Sequence, residues 1–333
     1  MINPAAQRPP MTPVARSVRA YFAPVERASE SPGVFDPARH GAFALESPPL
    51  PWVDLGWIDN FQRSRELHGD ALRAGLRGAA VAQFRGPLQA RVQFDFREWG
   101  KLQMALACGS QHMNVLATVT NADPQPSGGT ALSAVALLPG STAQELIFGV
   151  GAVDFFSTGD LLAVDMDYQQ ETGYVGTGVA AAYIKDAGEV RRDPNYIRRV
   201  TFNVGRVAEK TATSVILAQA LMGGAPAAGA AAQKVIAFVD REGGAFFQEW
   251  SGLFVLPEES GGRVCFYYPR LSPYAGDGGV AKSDRETKIE VGGTLQSLAL
   301  HASFLALGHT DLNDGEAVLC YRSYFPAGTA ALY

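Results

Sequence analysis

Two carboxylates two positions apart, Asp165 and Asp167, come nearest in this sequence to the spacing of a reactive pair. They follow an apolar run typical of a strand, and residues i and i+2 of a strand project from the same face. Such a pair can bind a metal ion or divide acid and base roles between its members. No histidine lies close to them in the sequence, so we interpret them as a solvated strand face.

A glycine pattern at residues 176–181 (GTGVAA) matches the short form of the dinucleotide-binding fingerprint. That fingerprint needs a following amphipathic helix whose N-terminus meets the pyrophosphate, and the residues that follow are small and β-like. A second acidic stretch, residues 311–316 (DLNDGE), has its glycine one place early for a calcium loop. Its Asp-Gly pair instead predicts a tight hairpin turn.

The histidines and cysteines show no catalytic or metal-binding spacing. His112 lacks the glycine frame of a nucleophile elbow, and the other four histidines have no i, i+4 relation. These are His40, His68, His301 and His309. Cys108, Cys265 and Cys320 are widely spaced and form no C-x-x-C motif, which is typical of buried cysteines in a reducing compartment. We therefore predict no catalytic, cofactor-binding or metal-binding residues, no cofactor, and a protein that is not an enzyme.

Composition sets the protein class. The chain has 333 residues, a net charge of −5 and a pI near 5.6, so no basic excess favours tight binding to nucleic acid or an anionic membrane. The N-terminal residues lack the apolar core of a secretory signal. The uncharged stretch between Lys210 and Lys234 contains Gly223, Gly224 and Pro226, which argues against a membrane helix. We predict a soluble protein made in the cytoplasm.

The residues from Leu88 to Cys108 form the clearest structural pattern. Leu88, Ala90, Val92, Phe94 and Phe96 alternate with polar residues, which predicts a strand with one buried and one solvated face. From Arg97 the apolar spacing changes to that of a short helix, with Glu98 and Lys101 placed to pair on its other side. Gly100 within that helix is expected to cost about 1 kcal/mol relative to alanine.

Short strands separated by turn residues recur from residue 131 to residue 325. Only residues 213–222 fit strand and helix equally. The sequence therefore predicts a mainly β fold, an antiparallel sandwich or barrel with one flanking α-helix and an extended N-terminal arm.

The first 51 residues hold half of the chain's 20 prolines and few large apolar side chains. They are either a disordered tail or an extended arm that orders on a neighbouring subunit, with residues 14–22 as its anchor. We expect the β-rich domain to cover residues 52–333, with residues 121–260 an insertion or a second copy of the same fold.

Arginines follow the first expected strand at five positions: Arg63, Arg65, Arg73, Arg77 and Arg85. They belong either to a solvated hairpin or to a contact with an acidic partner surface.

Two segments, residues 52–58 (WVDLGWI) and 94–106 (FDFREWGKLQMAL), carry a family resemblance, and residues 111–114 and 316–325 add to it. Over about residues 52–116 the chain resembles the major tail tube proteins of long-tailed, siphophage-type bacteriophages. The resemblance implies a β-sandwich tube fold and a virion protein made in the host bacterial cytoplasm and located in the phage tail. Its sheets would join edge to edge around a channel for double-stranded DNA.

The resemblance also implies partners: further copies of the chain and other tail proteins, but no membrane. Rings would be hexameric, or pseudo-hexameric with three duplicated subunits, and would stack through N-terminal arms and hairpins. The suspected assembly contacts are Tyr21, Phe22, Trp52, Asp54, Trp57, Arg63, Arg65, Arg91 and Asp95.

Two other interpretations remain open at this level. A tail-tip ring or tube terminator would share the fold. A β-sandwich receptor- or glycan-binding module would use the aromatic residues Trp250, Tyr267, Tyr268 and Tyr274 to stack on sugars.

Overall fold

In a computed structural model the chain is mainly β, with a closed antiparallel barrel and further sheets, which confirms the predicted fold class. The structure describes residues 17–25, 31–41, 43–74, 79–98, 100–117, 132–165, 204–221, 224–241, 249–259, 261–274 and 300–327. The chain divides into two compact units. Unit 1 comprises residues 1–25, 32–109 and 248–333, and unit 2 comprises residues 26–31 and 110–247.

Unit 1 contains the barrel, two α-helices and a short hairpin. Its strands are β1 (Val18–Pro24), β2 (Val53–Ala74), β3 (Ala79–Phe96), β11 (Trp250–Pro257), β12 (Arg263–Pro273), β13 (Leu300–Ala306), β14 (His309–Thr310), β15 (Ala317–Val318) and β16 (Tyr321–Phe325). Its helices are α1 (Pro37–His40) and α2 (Lys101–Cys108). Strands β14 and β15 flank Gly315, whose φ is +77°, and this confirms the predicted hairpin turn.

The barrel closes through six strands in the order β11-β1-β2-β3-β13-β12, since β12 pairs back onto β11. Every pairing is antiparallel, and β16 is added to β12 beside the closed ring. The edges of this sheet meet within one chain, so the expected joining of sheets between copies stays a prediction that would have to use other edges. Barrel closure removes edges that would otherwise pair between molecules.

The inside of the barrel is filled by aromatic rings. On β3 the side chains of Ala90, Val92, Phe94 and Phe96 are buried, whereas the polar residues between them are not, which confirms the predicted alternation over this stretch. Leu88 differs from the prediction because 42 % of its surface is exposed, and it lies where the hairpin leaves the barrel.

A second apolar layer covers the outer face of part of the barrel. Tyr21, Leu253 and Tyr267 point outward and are buried under a layer that includes Phe35 and Phe43. The prediction of an extended arm over residues 1–51 is therefore corrected for its described part. β1 is a strand of the chain's own barrel, and within residues 32–51 the side chains of Phe35, Phe43 and Leu45 pack on the barrel surface.

Helix α2 forms where the spacing predicted it, with Leu102, Ala105 and Leu106 buried. It begins one residue after Gly100, which is its N-cap, so the expected cost of a glycine inside the helix does not apply. The burial of Lys101 also differs from the prediction, which placed this side chain on the side of the helix opposite the apolar residues. Its Nζ is buried, and this burial lowers its pKa to about 8.

The described strands of unit 2 are β4 (Gln111–Leu116), β5 (Val135–Ala136), β6 (Glu145–Ile147), β7 (Leu161–Asp165), β8 (Val204–Lys210), β9 (Ser214–Leu217) and β10 (Ala231–Arg241). They form an open antiparallel sheet with the strand order β4-β10-β7-β8-β9-β6, and β5 pairs with β10. A short 3₁₀-helix, Ala152–Phe155, packs Val153 into the apolar core of this unit. The undecided residues 213–222 contain strand β9.

The described part of unit 2 is an open sheet, and its order of strands differs from that of the barrel. It interrupts unit 1 between residues 109 and 248. Unit 2 overlaps the expected range of 121–260, and the choice between an insertion and a second copy of the fold stays a prediction.

Candidate functional site

Three suspected assembly contacts lie in the chain's own core. Phe22 is fully buried inside the barrel, and Tyr21 and Trp52 are buried in the outer layer. The Tyr21 hydroxyl donates a hydrogen bond to the Leu45 carbonyl at 2.9 Å. These side chains are therefore corrected from assembly contacts to core residues. The sequence suggested an interface because an isolated strand near a terminus cannot be distinguished by pattern from an arm that binds elsewhere.

Asp54 and Trp57 belong to an ionic cluster at the start of β2. The Arg19 guanidinium donates to both carboxylate oxygens of Asp54, at 3.1 and 2.5 Å, and to Glu46 at 2.9 Å. Its Cζ also lies 5.4 Å from the centre of the Trp57 ring. The hydrogen bond to Asp54 raises the pKa of Arg19. Asp54 is thus paired within the chain.

Asp95 lies in a polar network where β2, β3 and β13 meet. It contacts Nδ1 of His301 at 2.7 Å and accepts a hydrogen bond from Asn60 at 2.6 Å. Asp59, beside it, accepts two bonds from Arg97, and these lower its pKa. Within the described residues no hydroxyl or thiol lies within hydrogen-bond distance of His301. The described part of the network is therefore a set of cross-strand pairs without an activated nucleophile.

Arg91 contacts the loop after β12. Its guanidinium lies 4.6 Å from the centre of the Tyr274 ring and donates to the Tyr274 hydroxyl at 3.2 Å. This pair joins β3 to a residue 183 positions away. The contact combines a cation–π interaction with a hydrogen bond, which fixes the planar guanidinium in one orientation.

Arg63 lies at one end of the barrel, on the inward face of β2. It pairs across the ladder with Val92, which is fully buried, and directly opposed residues share a face. Its Nε donates to the hydroxyl of Tyr268 and its Nη2 lies 3.4 Å from Sγ of Cys320. Its Cζ lies 3.9 Å from the centre of the Phe266 ring. We call the site formed by Arg63, Arg65, Phe266, Tyr268, Cys320 and Arg322 the arginine mouth.

Two further arginines lie near enough to the same thiol to lower its pKa. Arg65 is two residues along β2 and exposed, and Arg322 on β16 lies opposite Phe266 with its Cζ 5.3 Å from the ring centre. Arg63 and Arg65 were suspected from the sequence as assembly contacts and Tyr268 as a sugar-stacking residue, but Cys320 and Arg322 were not suspected. Nothing in the sequence joins them, because Arg63 and Cys320 are 257 positions apart.

The thiol and the phenol of the arginine mouth are both neutral near pH 7. Burial raises the pKa of Cys320, while Arg63, a hydrogen bond with Tyr268, Arg322 and Arg65 lower it by smaller amounts. Burial likewise raises the pKa of Tyr268 to about 12. The thiol donates to the Tyr321 carbonyl, which agrees with a protonated sulfur. This arrangement presents cationic charge and hydrogen-bond donors without a thiolate nucleophile.

The remaining sequence candidates do not converge on a reaction centre in the described part of the chain. Asp165 ends β7, but Asp167 and the glycine pattern at 176–181 lie outside the described residues, as does the side chain of His112. Among the described residues no three His, Cys, Asp or Glu side chains form a group that could hold a metal ion.

The aromatic residues suspected of stacking on sugars are for the most part not available to a ligand. Trp250, Tyr267 and Tyr268 are all buried in unit 1, and the Tyr274 ring is covered by Arg91.

Among the described residues no helix is long and apolar enough to cross a membrane. Comparison with protein-family models finds no family that matches the chain, and a search of curated proteins finds no matching sequence.

Proposed function

We propose that this protein is a structural subunit that self-assembles into stacked rings around a central channel, as in the phage tail tubes that it resembles. The observation that carries the proposal is the hairpin of β2 and β3. The two strands have 22 and 18 residues, much longer than is needed to cross the barrel.

Among the strands that the structure describes, none pairs with the outer half of this hairpin. β1 pairs with β2 only between Val53 and Ile58, and β13 pairs with β3 only from Arg91 to Phe96. Beyond these pairings the ladder continues from Glu66 opposite Gln89 to Ala74 opposite Ala79. At ~3.3 Å per residue this ribbon extends roughly 25–30 Å from the barrel.

A ribbon of this length is poorly stabilised by itself. Two strands alone are marginally stable in water, and within the described structure both outer edges of the ribbon offer unpaired backbone groups. Pairing or packing against a neighbouring subunit would satisfy those groups and stabilise the ribbon. A subunit that carries such a projection is suited to repeated contact with copies of itself, because a heterologous contact that closes by rotation gives a ring.

The DNA conduit is the further part of the proposal. Duplex DNA carries one negative charge per ~1.7 Å, so a basic wall would retain it through counterion release. A channel that releases DNA requires a neutral or acidic wall, and the net charge of −5 is compatible with that.

Negative-stain electron microscopy of the purified protein at rising concentration tests the proposal, with light scattering on the same samples. We expect stacked rings with an axial hole and a mass that grows with concentration. A compact monomer at every concentration, under conditions that preserve the fold by circular dichroism, would contradict it.

A further inference from the structure

The three arginines of the arginine mouth carry positive charge that the described residues do not balance. In the described structure no carboxylate lies within 4 Å of a guanidinium nitrogen of Arg63, Arg65 or Arg322. Other arginines of the protein are treated differently: Arg19 and Arg97 each form bidentate bonds with an aspartate. The nearby Asp311 accepts bonds from Tyr321 and Asn313 instead of from an arginine.

The neighbouring polar groups do not supply the missing negative charge. Cys320 and Tyr268 are neutral near pH 7, because burial raises the pKa of both groups. They accept one bond each from Arg63 and so fix the orientation of its guanidinium. The other N–H groups of Arg63 have no acceptor in the described structure. A guanidinium is a rigid, planar group with five N–H donors, so the Arg63 donors that have no acceptor in the described structure keep a defined direction.

The Phe266 ring further limits how the guanidinium groups of the arginine mouth can move. Arg63 and Arg322 both lie against the Phe266 ring, with Cζ at 3.9 and 5.3 Å from its centre. Stacking on a ring holds a guanidinium without neutralising it. Like charges held close together raise the free energy of the folded state, and a bound anion would lower it.

We propose that the arginine mouth is a binding site for a phosphate group carried by a small ligand. Three cations favour a multiply charged oxyanion over a singly charged carboxylate. Planar guanidinium forks match the spacing of phosphate oxygens and bind them through paired, charge-assisted hydrogen bonds. The proposal concerns ligand binding by one subunit and is independent of the proposed assembly.

Isothermal titration of the full-length protein with inorganic phosphate tests the site, with sodium chloride used to hold ionic strength constant. We expect saturable binding with one phosphate per chain. Arg322→Gln should weaken it by about tenfold or more, because a charge-assisted bond to the anion is lost. Arg322 is exposed, so this variant should keep the fold. Arg97→Gln removes an equal charge from a residue that is ion-paired with Asp59, and it should leave phosphate affinity unchanged.

Alkylation of Cys320 gives a second readout that places the anion. A bound phosphate disfavours the thiolate and covers the sulfur, so phosphate should slow modification of Cys320 by iodoacetamide without slowing that of Cys108. Peptide mass spectrometry separates the two cysteines. The rate change should disappear in Arg63→Lys, which keeps the charge but loses the fork.

Four results would each overturn the proposal: no saturable phosphate binding, equal weakening by Arg97→Gln, acetate binding as tight as phosphate, or unchanged alkylation of Cys320 at saturating phosphate. Binding of a short DNA duplex through Arg63 and Arg322 without phosphate binding would assign the mouth to nucleic acid and would also overturn it.

Discussion

Phe22 shows how burial changes the role of a residue that the sequence places near a terminus. Its ring contacts Phe94, Trp250, Phe254 and Phe304 at centroid distances from 5.2 to 6.3 Å, and none of its surface is exposed. The suggested interface residue is therefore one of the residues on which the barrel interior depends.

Replacing Phe22 by alanine should lower the free energy of unfolding by about 3–5 kcal/mol, since it removes a buried ring and leaves a cavity. Urea denaturation followed by circular dichroism measures this change. The control is Phe155→Ala, whose ring is 72 % exposed and whose loss should change stability by less than about 0.5 kcal/mol. If Phe22→Ala unfolds at the wild-type urea concentration, the core assignment is wrong.

Lys101 should make stability depend on pH. Burial lowers its pKa to about 8 in the folded chain, whereas an unfolded lysine titrates near ~10.4. Between these values the unfolded state binds more protons, so the contribution of Lys101 to stability rises with pH. Buried Cys265 and Tyr268 act in the opposite direction, because their pKa values are raised, so the effect is measured as a difference between variants.

Lys101→Met should therefore flatten or reverse the change in urea midpoint between pH 7.5 and about 9.5. Lys210→Met is the matched control, because that lysine is bound at the surface to Asp154 and the Phe156 carbonyl. It should keep the wild-type dependence. A Lys101→Met variant whose midpoint changes with pH as in the wild type would show that the ammonium is not desolvated.

Among the elements, β3 and α2 could be predicted because each has one buried and one solvated face. The alternation from Ala90 to Phe96 and the apolar spacing of Leu102 and Leu106 record those faces directly. β1 could not be predicted in the same way. Tyr21 and Phe22 are consecutive and both fully buried, because the strand lies between the barrel interior and the outer layer. A strand buried on both faces loses the alternation that identifies it.

The arginine mouth could not be predicted from sequence patterns either, for a different reason. Its parts come from β2, β12, β16 and the residue before β16, and they are brought together by barrel closure and by the pairing of β16 with β12. Periodicity indicates which way a side chain faces along its own strand, but it contains no information on strand order. Arg63 was recognised as a candidate because of its charge, whereas its partner Cys320 resembles any other isolated cysteine.

The hairpin of β2 and β3 gives a test of assembly at the scale of one element. Residues 67–88 can be replaced by Asn-Gly, a pair that favours a two-residue hairpin turn, between the paired residues Glu66 and Gln89. The shortened chain should retain the barrel, because among the described strands the removed ladder pairs only with itself. We expect unchanged near-ultraviolet circular dichroism and a loss of concentration-dependent mass in light scattering.

The matching control is a full-length hairpin in which residues 67–88 are kept and the exposed Val150 is changed to Ser. It should assemble like the wild type. Rings formed by the shortened chain would show that the projection is not required for assembly, whatever the role of the remaining surface.

At the scale of the whole molecule, each unit has its own apolar core. In unit 1 the core is the aromatic interior of the barrel, and in unit 2 it surrounds Phe148 and Phe156, whose ring centres are 5.1 Å apart. Units with separate cores commonly unfold as separate cooperative transitions. The insertion of unit 2 between residues 109 and 248 therefore predicts two sets of amide protons with distinct stabilities.

Hydrogen exchange with peptide mass spectrometry should separate the two units through a matched pair of substitutions. Phe148→Ala removes a buried ring from unit 2, as Phe22→Ala does from unit 1. Each substitution should lower the free energy of opening its own unit by about 3–5 kcal/mol and so accelerate exchange in the strands of that unit. Exchange in the other unit should stay near its wild-type rate. Equal acceleration of both units by either substitution would mean that the chain opens as one cooperative body. In that case the inserted unit would contribute to the stability of the barrel itself, and assembly could not be assigned to unit 1 alone.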